Sequence, residues 1–245
     1  MRPVLFVWRG LTIWSYHAML YIGLVAGVMA GNGAAHAAGI DAFGVYVATL
    51  VLIPIALIGA RLLHVASNWR LYRRDLRRVW NRSDGGAGMY GGLAIILPLS
   101  VPLLAALQLP FGAFWDVAAF TILVGMIFTR IGCLLNGCCS GRPSTIRGSM
   151  YLPNHLGVWE RRIPTQCLEA AWAAVLLVSA IGVWHWLPFH GALFLIVTAG
   201  YASGRLVLES VREREPGATK FNIHHVISAV MIILSLVVLV AHWPK

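Results

Sequence analysis

The chain has 245 residues, of which 59% are hydrophobic and 11% charged, and its mean hydropathy is +0.75. A soluble domain carries about 25% charged residues, so these figures exclude a water-soluble enzyme and make lipid the solvent. The net charge of +10 would suit nucleic acid, but the basic residues lie between apolar stretches, where anionic headgroups are the nearest partner; no nucleic acid is expected.

In chain order, Arg2 and Arg9 precede an apolar stretch over 11–30 that carries Tyr16. It lacks a small-residue cleavage site, so a membrane span rather than a removable signal peptide is expected. The connection 31–43 holds no Lys or Arg, and a second span comes next over 44–65, with Arg61 near its end. The stretch 66–87 then carries Arg70, Arg73, Arg74, Arg77, Arg78 and Arg82. A third span, 88–109, opens on Tyr90-Gly91-Gly92, and an uncharged turn near 110 leads to a fourth over 112–129 containing Asp116. The connection 130–165 holds Arg130, Arg142, Arg147, Arg161 and Arg162, with three of the four cysteines. A fifth span over 166–187 carries Glu169, a turn near 188 is free of Lys and Arg, and a sixth over 189–207 carries Tyr201 and Arg205. The connection 205–221 adds Glu209, Arg212, Arg214 and Lys220 before a last span over 222–242. At about 20 apolar residues per crossing, this is an all-α, polytopic membrane protein with seven transmembrane helices, forming one integral membrane domain over 1–245.

The loops alternate between arginine-rich and empty, as odd and even connections of seven crossings require. By the positive-inside rule the arginine-rich side is cytoplasmic, with the N-terminus inside and the C-terminus outside. Of the 19 basic residues all but Lys220 and Lys245 are arginine, whose planar fork grips phosphate bidentately. Ionisable groups near span ends are candidates for function. Arg61, Arg130 and Arg205 sit on separate spans, and a desolvated guanidinium needs a counter-charge or an anionic ligand. Asp116, Glu169 and Glu209 are therefore expected to orient or neutralise those arginines.

Cys133, Cys138 and Cys139, with Cys167 beyond them, admit four readings: small apolar filler in a helix end, a disulfide, a reactive thiol beside arginines, or a metal site. The C-x4-C-C spacing is not a recognised zinc pattern, and no metal is assigned. Among the histidines, His64 and His225 are the best placed to act as a base, while His17, His155, His185, His190 and His224 carry no such signal. Trp69, Trp80, Trp184, Trp186 and Trp243 near span ends read as an interfacial belt.

The run Arg130-Ile131-Gly132-Cys133-Leu134-Leu135-Asn136-Gly137-Cys138-Cys139-Ser140-Gly141-Arg142-Pro143 resembles the signature of the prolipoprotein diacylglyceryl transferases. Smaller motifs match that family in order. Tyr16 stands where it has a tyrosine, and Gly59-Ala60-Arg61 through Asn68 resembles its Gly-Gly-Arg…Asn segment. Tyr90-Gly91-Gly92 resembles its His-Gly-Gly, and Asp116 matches its aspartate. Pro164-Thr165-Gln166-Cys167-Leu168-Glu169 resembles its Pro-Ser-Gln-Leu-Tyr-Glu. Tyr201-Ala202-Ser203-Gly204-Arg205 through Glu209 and Arg212 resembles its Tyr-Gly-x-x-Arg…Glu…Arg.

The resemblance implies a multi-pass enzyme of the bacterial plasma (inner) membrane. It moves the diacylglyceryl group of phosphatidylglycerol, or another anionic phospholipid, onto the lipobox cysteine of a prolipoprotein, and needs no cofactor. It assigns Arg130 and Arg205 to the phosphate and the transition state, and puts Tyr90 at the place of the family's histidine. Tyr16, Arg61, Asn136, Gln166, Glu169, Tyr201, Glu209 and Arg212 would bind the substrate. Gly91, Gly92, Gly137 and Gly141 would let backbone approach the lipid.

The departures are also informative. A phenol near pKa 10 is a poor base at neutral pH, and Cys133 and Cys138 stand where the family has Asn and Glu. An alternative is a divergent member using another thiol acceptor, or a non-catalytic or redox membrane protein that keeps the fold. In the family the signature loops face the periplasm, the reverse of the orientation expected from the charge rule, and of the two the family orientation is preferred.

Overall fold

Each apolar stretch picked out by hydropathy is a helix in the computed structural model, which describes residues 2–8, 11–73, 75, 77, 79, 89–154, 157–212 and 223–243. The helices are α1 (Ser15–Ala37), α2 (Ala42–Ser67), the single turn α3 (Trp69–Tyr72), α4 (Met89–Ala106), α5 (Phe111–Asn136), α6 (Thr165–Val183), α7 (Ala192–Ser210) and α8 (Ile223–His242). Six of them, α1, α2, α5, α6 with the 3-10 turn Trp184–Trp186, α7 and α8, are long and apolar enough to cross a membrane. The remaining apolar helix, Tyr90–Ala106, is shorter. Helices suit lipid because they satisfy every backbone N–H and C=O internally. Hydroxyls along the spans do the same: Ser100, Thr129 and Ser203 each donate to a carbonyl of their own helix.

Two corrections to the all-helical reading concern its edges. Residues 11–14, expected in the first span, are strand: β1 (Val4–Trp8) and β2 (Leu11–Trp14) form an antiparallel hairpin before α1 begins at Ser15. Ser15 fixes that junction, its hydroxyl donating to the Arg2 carbonyl and its N–H to that of Pro3. A second hairpin, β3 (Met150–Pro153) with β4 (Trp159–Arg162), lies inside the expected loop 130–165. Its turn is closed by Asn154, whose Oδ1 accepts from Val158 N at 2.9 Å, and by Gly157 at φ 80°. Asx side chains and left-handed glycines are the usual means of turning a chain so tightly.

The chain divides into two packed units, Met1–Ala34 with Trp115–Lys245, and Ala35–Phe114. In the first, α1 lies on α5 through glycines one turn apart. A Cβ on Gly27 would stand 2.6 Å from the Thr121 carbonyl, and one on Gly23 3.2 Å from that of Gly125. Lipid gives helices no hydrophobic reason to associate, so small residues that let backbones touch supply the attraction. Helices α6 and α7 meet where Trp172 Nε1 donates to the Gly200 carbonyl at 3.1 Å, and α7 packs on α8.

Asp116 departs from its expected role. Its carboxylate oxygens accept from Gly191 N at 2.7 Å and Phe194 N at 3.0 Å, so it caps the N-terminus of α7 from the first turns of α5 instead of serving an arginine. A helix N-terminus presents unpaired N–H groups and partial positive charge, and a buried carboxylate answers both. Asp116→Ala should destabilise the protein by about 1–2 kcal/mol, the range of a lost cap, read as a lower midpoint for unfolding by SDS in mixed micelles. An unchanged midpoint would show that α7 is held without the cap.

In the second unit α2 packs on α4 through the same device. A Cβ on Gly91 would stand 2.5 Å from the Gly59 carbonyl, and one on Gly92 2.9 Å from that of Ala56.

Candidate functional site

The polar centre of the first unit is Glu169, one turn into α6 and 2% exposed. In a helix that is otherwise apolar, a buried carboxylate must be matched by positive charge, and three arginines from different stretches of chain supply it. Arg130, in the last two turns of α5, places Nε 2.5 Å from Oε2. Arg205, in α7, donates from NH1 to Oε1 at 2.8 Å. Arg212, just past the end of α7, reaches Oε1 at 3.7 Å. Glu209 completes the cluster, pairing with Arg205 at 3.1 Å and Arg212 at 3.8 Å. The i,i+4 spacing of Arg205 and Glu209 puts them on one helix face. Among the described residues, the cluster joins three guanidinium groups to two carboxylates. Tyr201, one turn before Arg205, is buried beside Arg130, and Tyr16 at the start of α1 lies within electrostatic reach of Arg130 and of the three neighbouring cysteines.

The connection after α5 is built with unusual constraint. Gly137 N donates to the Leu134 carbonyl at 3.2 Å and Cys138 N to that of Cys133 at 3.1 Å, with Gly137 at φ 75°. That pair of bonds is a Schellman motif, which ends a helix and folds the second residue beyond it back on the last turn. The two residues so juxtaposed are Cys138 and Cys133. Cys139 comes next at φ 63°, left-handed although it carries a Cβ. Two buried side chains of α6 hold this bend: Gln166 Nε2 donates to the Cys138 carbonyl at 2.5 Å and Thr165 Oγ1 to the Cys139 carbonyl at 2.6 Å. The result is a cluster in which the Sγ atoms of Cys133, Cys138 and Cys139 all lie within 4.8 Å of one another. Cys133 is buried, Cys138 half-buried and Cys139 exposed, and all are free thiols. The Cys139 thiol is pulled below the ordinary thiol range by the adjoining Cys133 and Cys138 thiols and by the positive charge of Arg212 and Arg130.

Farther along, Gly141 N donates to the Ile163 carbonyl and Arg142 N to that of Val211, while Gly141 pairs with Arg212 as an isolated bridge. A Cβ on Gly141 would stand 2.9 Å from both the Ile163 and Val211 carbonyls, so the approach this glycine allows is by protein backbone. Arg162, buried and bound to Glu160 at 2.8 Å and the Gly141 carbonyl at 3.3 Å, secures the same seam. Arg162 carries no signal in the sequence that would single it out from the other arginines of 130–165, and Thr165 stands in a family-like motif without a role assigned to it. Gly137, directly after an apolar run, does carry one, since glycine at that position is the usual residue of a helix cap.

Of the residues marked in the sequence, Tyr16, Arg130, Asn136, Gly141, Gln166, Glu169, Tyr201, Arg205, Glu209 and Arg212 belong to this unit. Asn136 is the exposed last residue of α5. Gln166 serves the bend rather than the arginines. Arg61, Tyr90, Gly91 and Gly92 belong to the second unit. There Arg61 donates from Nε to the Val79 carbonyl at 2.8 Å and lies over the Tyr72 ring at 5.6 Å, Tyr90 is buried, and the two glycines pack α4 on α2. His64 also meets Tyr72, edge to face at 6.2 Å. Arg74, Arg78, Arg82, Trp80, His155, Arg214 and Lys220 lie outside the described residues.

Six helices long and apolar enough to cross a membrane, with a buried, charge-paired arginine cluster in the first unit, define a multi-pass membrane protein. Comparison with known proteins makes the class specific. Residues 3–241 match the model of the prolipoprotein diacylglyceryl transferase family, and the chain belongs to that family. It is 27% identical over 247 residues to the phosphatidylglycerol–prolipoprotein diacylglyceryl transferase of Streptococcus pyogenes serotype M5 (strain Manfredo), covering 96% of this chain and 93% of that one. The proteins of the same name from serotype M49 (strain NZ131) and serotype M1 are similar to the same extent.

Proposed function

We propose that the protein transfers the diacylglyceryl group of phosphatidylglycerol to the lipobox cysteine of a prolipoprotein, as a single integral membrane domain crossing the bacterial plasma membrane seven times. The observation that carries this reading is the meeting of Arg130 and Arg205 on one buried carboxylate, Oε2 of Glu169 taken by the first and Oε1 by the second. A phosphodiester headgroup bears one negative charge, and Arg130 and Arg205 are guanidinium groups able to face it. When the acceptor sulfur, its proton already lost, attacks the glyceryl carbon, the C–O bond to phosphate breaks and its electron pair leaves as a second negative charge on the departing glycerol phosphate. Guanidinium groups already fixed in place stabilise that charge without reorganising. Arg212, Tyr16, Asn136, Tyr201 and Glu209 are proposed to shape the headgroup site, and Glu169 and Gln166 to hold its frame. Within the second unit Tyr90 is proposed to act in proton transfer, with Arg61, Gly91 and Gly92 proposed for lipid binding, and lost transfer in Tyr90→Phe at unchanged stability would mark the former role rather than packing.

Thiols where the family has Asn and Glu favour one second reading, transfer to a different thiol. Expression in a bacterial strain depleted of its own diacylglyceryl transferase tests both. Restored growth with lipid attached to prolipoprotein is expected. Failure despite stable membrane expression, joined to lipid transfer onto a small thiol, would favour the second.

A further inference from the structure

We propose that Cys133, Cys138 and Cys139 form a three-thiolate site for a divalent thiophilic metal of the zinc type, whose open fourth position binds the acceptor thiol. This rests on the transferase reading above. With metal–sulfur bonds of about 2.3 Å, sulfurs at the corners of a tetrahedron stand about 3.8 Å apart. Three Sγ atoms already within 4.8 Å of one another need small side-chain rotations to meet that geometry. Among the described residues no histidine, carboxylate or further cysteine joins the three. That pattern, three protein ligands and one vacancy, separates catalytic zinc sites from closed structural ones.

The surroundings are organised for such an ion rather than for packing alone. Filler cysteines require no particular backbone, yet this bend holds a non-glycine residue, Cys139, in the left-handed region, at a cost of about 1–2 kcal/mol. Buried Gln166 and Thr165 fix the carbonyls of Cys138 and Cys139, so the backbone that carries two of the three sulfurs is held before any ligand arrives. Cys133 is anchored by α5 itself, one turn after Arg130. Three thiolates and a divalent cation leave one negative charge, and Arg130 and Arg212 are the cations next to the cluster. Exposure of Cys139 leaves the vacancy open to an entering thiol.

The chemistry answers the loss of the family's histidine at Tyr90. A metal-bound thiol gives up its proton outright, so the acceptor sheds it to solvent on coordination and needs no separate base. Its sulfur then forms a bond to the glyceryl carbon, and the electron pair of the broken C–O bond leaves on the phosphate held by Arg130 and Arg205. Nothing is oxidised or reduced.

Cobalt(II), the spectroscopic stand-in for zinc, is the probe for the full-length protein in detergent after reduction and chelation. The expected result is one cobalt per chain, with tetrahedral ligand-field bands and a sulfur-to-metal charge-transfer band. Cys138→Ser and Cys139→Ser should each lose most of that band, while Cys167→Ser keeps it. Adding a lipobox peptide should shift the bands, and the same peptide with serine for cysteine should not. Absence of stoichiometric cobalt in folded protein whose thiols all react freely with a disulfide reagent would overturn the site. Stoichiometric cobalt blind to the cysteine peptide would overturn the acceptor position. Cobalt binding and the peptide shift retained in a chain that transfers no diacylglyceryl group would support the metal site while removing the phosphatidylglycerol reading on which its role depends.

Discussion

Glu169→Gln is expected to destabilise the protein by about 3–5 kcal/mol, the cost of breaking a buried ion pair by removing one partner. The substitution keeps the shape of the side chain and removes the charge that Arg130 and Arg205 share at 2.5 and 2.8 Å. Both guanidinium groups stay where the surrounding helices put them, largely out of solvent, and removing one member of a buried ion pair strands the other. Glu209 softens the loss for Arg205, which it contacts at 3.1 Å, whereas Arg130 is the guanidinium closest to the lost charge and is stranded most. If stranded charge is the cause, adding Arg130→Met to Glu169→Gln should recover part of the stability, because replacing both partners leaves nothing unpaired. Unfolding of the purified variants by SDS in mixed micelles reads the difference. A double variant less stable than Glu169→Gln alone would show that Arg130 contributes through its packed stem instead.

The helices were legible because the membrane demands long apolar runs, and hydropathy reports those runs without knowledge of tertiary structure. Their ends were less so. Residues 11–14 are as apolar as the helix they lead into, and only the pairing with Val4–Trp8 makes them strand; pairing is not a property of the segment alone. Likewise α5 runs on to Asn136 past the polar Arg130, because that guanidinium is neutralised by a carboxylate on another helix. Arg130, Arg205 and Arg212, which the resemblance singles out from distant parts of the chain, do meet on one carboxylate. The partner of each carboxylate was the harder matter: Asp116 looked like Glu169 in the sequence, yet it answers the N–H groups of α7. Glycines pose the same difficulty. Gly91 and Gly141 were marked for close approach, and the neighbours that approach them are protein carbonyls supplied by residues far along the chain. The thiol cluster was hidden by its spacing, since C-x4-C-C matches no metal pattern until the Schellman bend at Gly137 brings Cys138 back onto Cys133.

Arg205→Ala is expected to lower the rate of diacylglyceryl transfer by about 10²–10³-fold, the range for losing one preorganised donor to a developing negative charge. Arg205→Lys should fall between, since lysine keeps the charge but cannot reach Glu169 and Glu209 with two nitrogens held in one plane. Arg130→Ala should cost a similar factor. The informative measurement is the double variant, with rates followed as lipid label passing from phosphatidylglycerol to a lipobox peptide. Arg130 and Arg205 are set by opposite oxygens of one carboxylate, so loss of either lets Glu169 move and misplaces the other. The double variant should therefore be little slower than the worse single one, as holds for residues that act as a unit. Effects that simply multiply would mean that the two guanidinium groups act independently, and that Glu169 is a counter-ion to each without joining them into one phosphate grip.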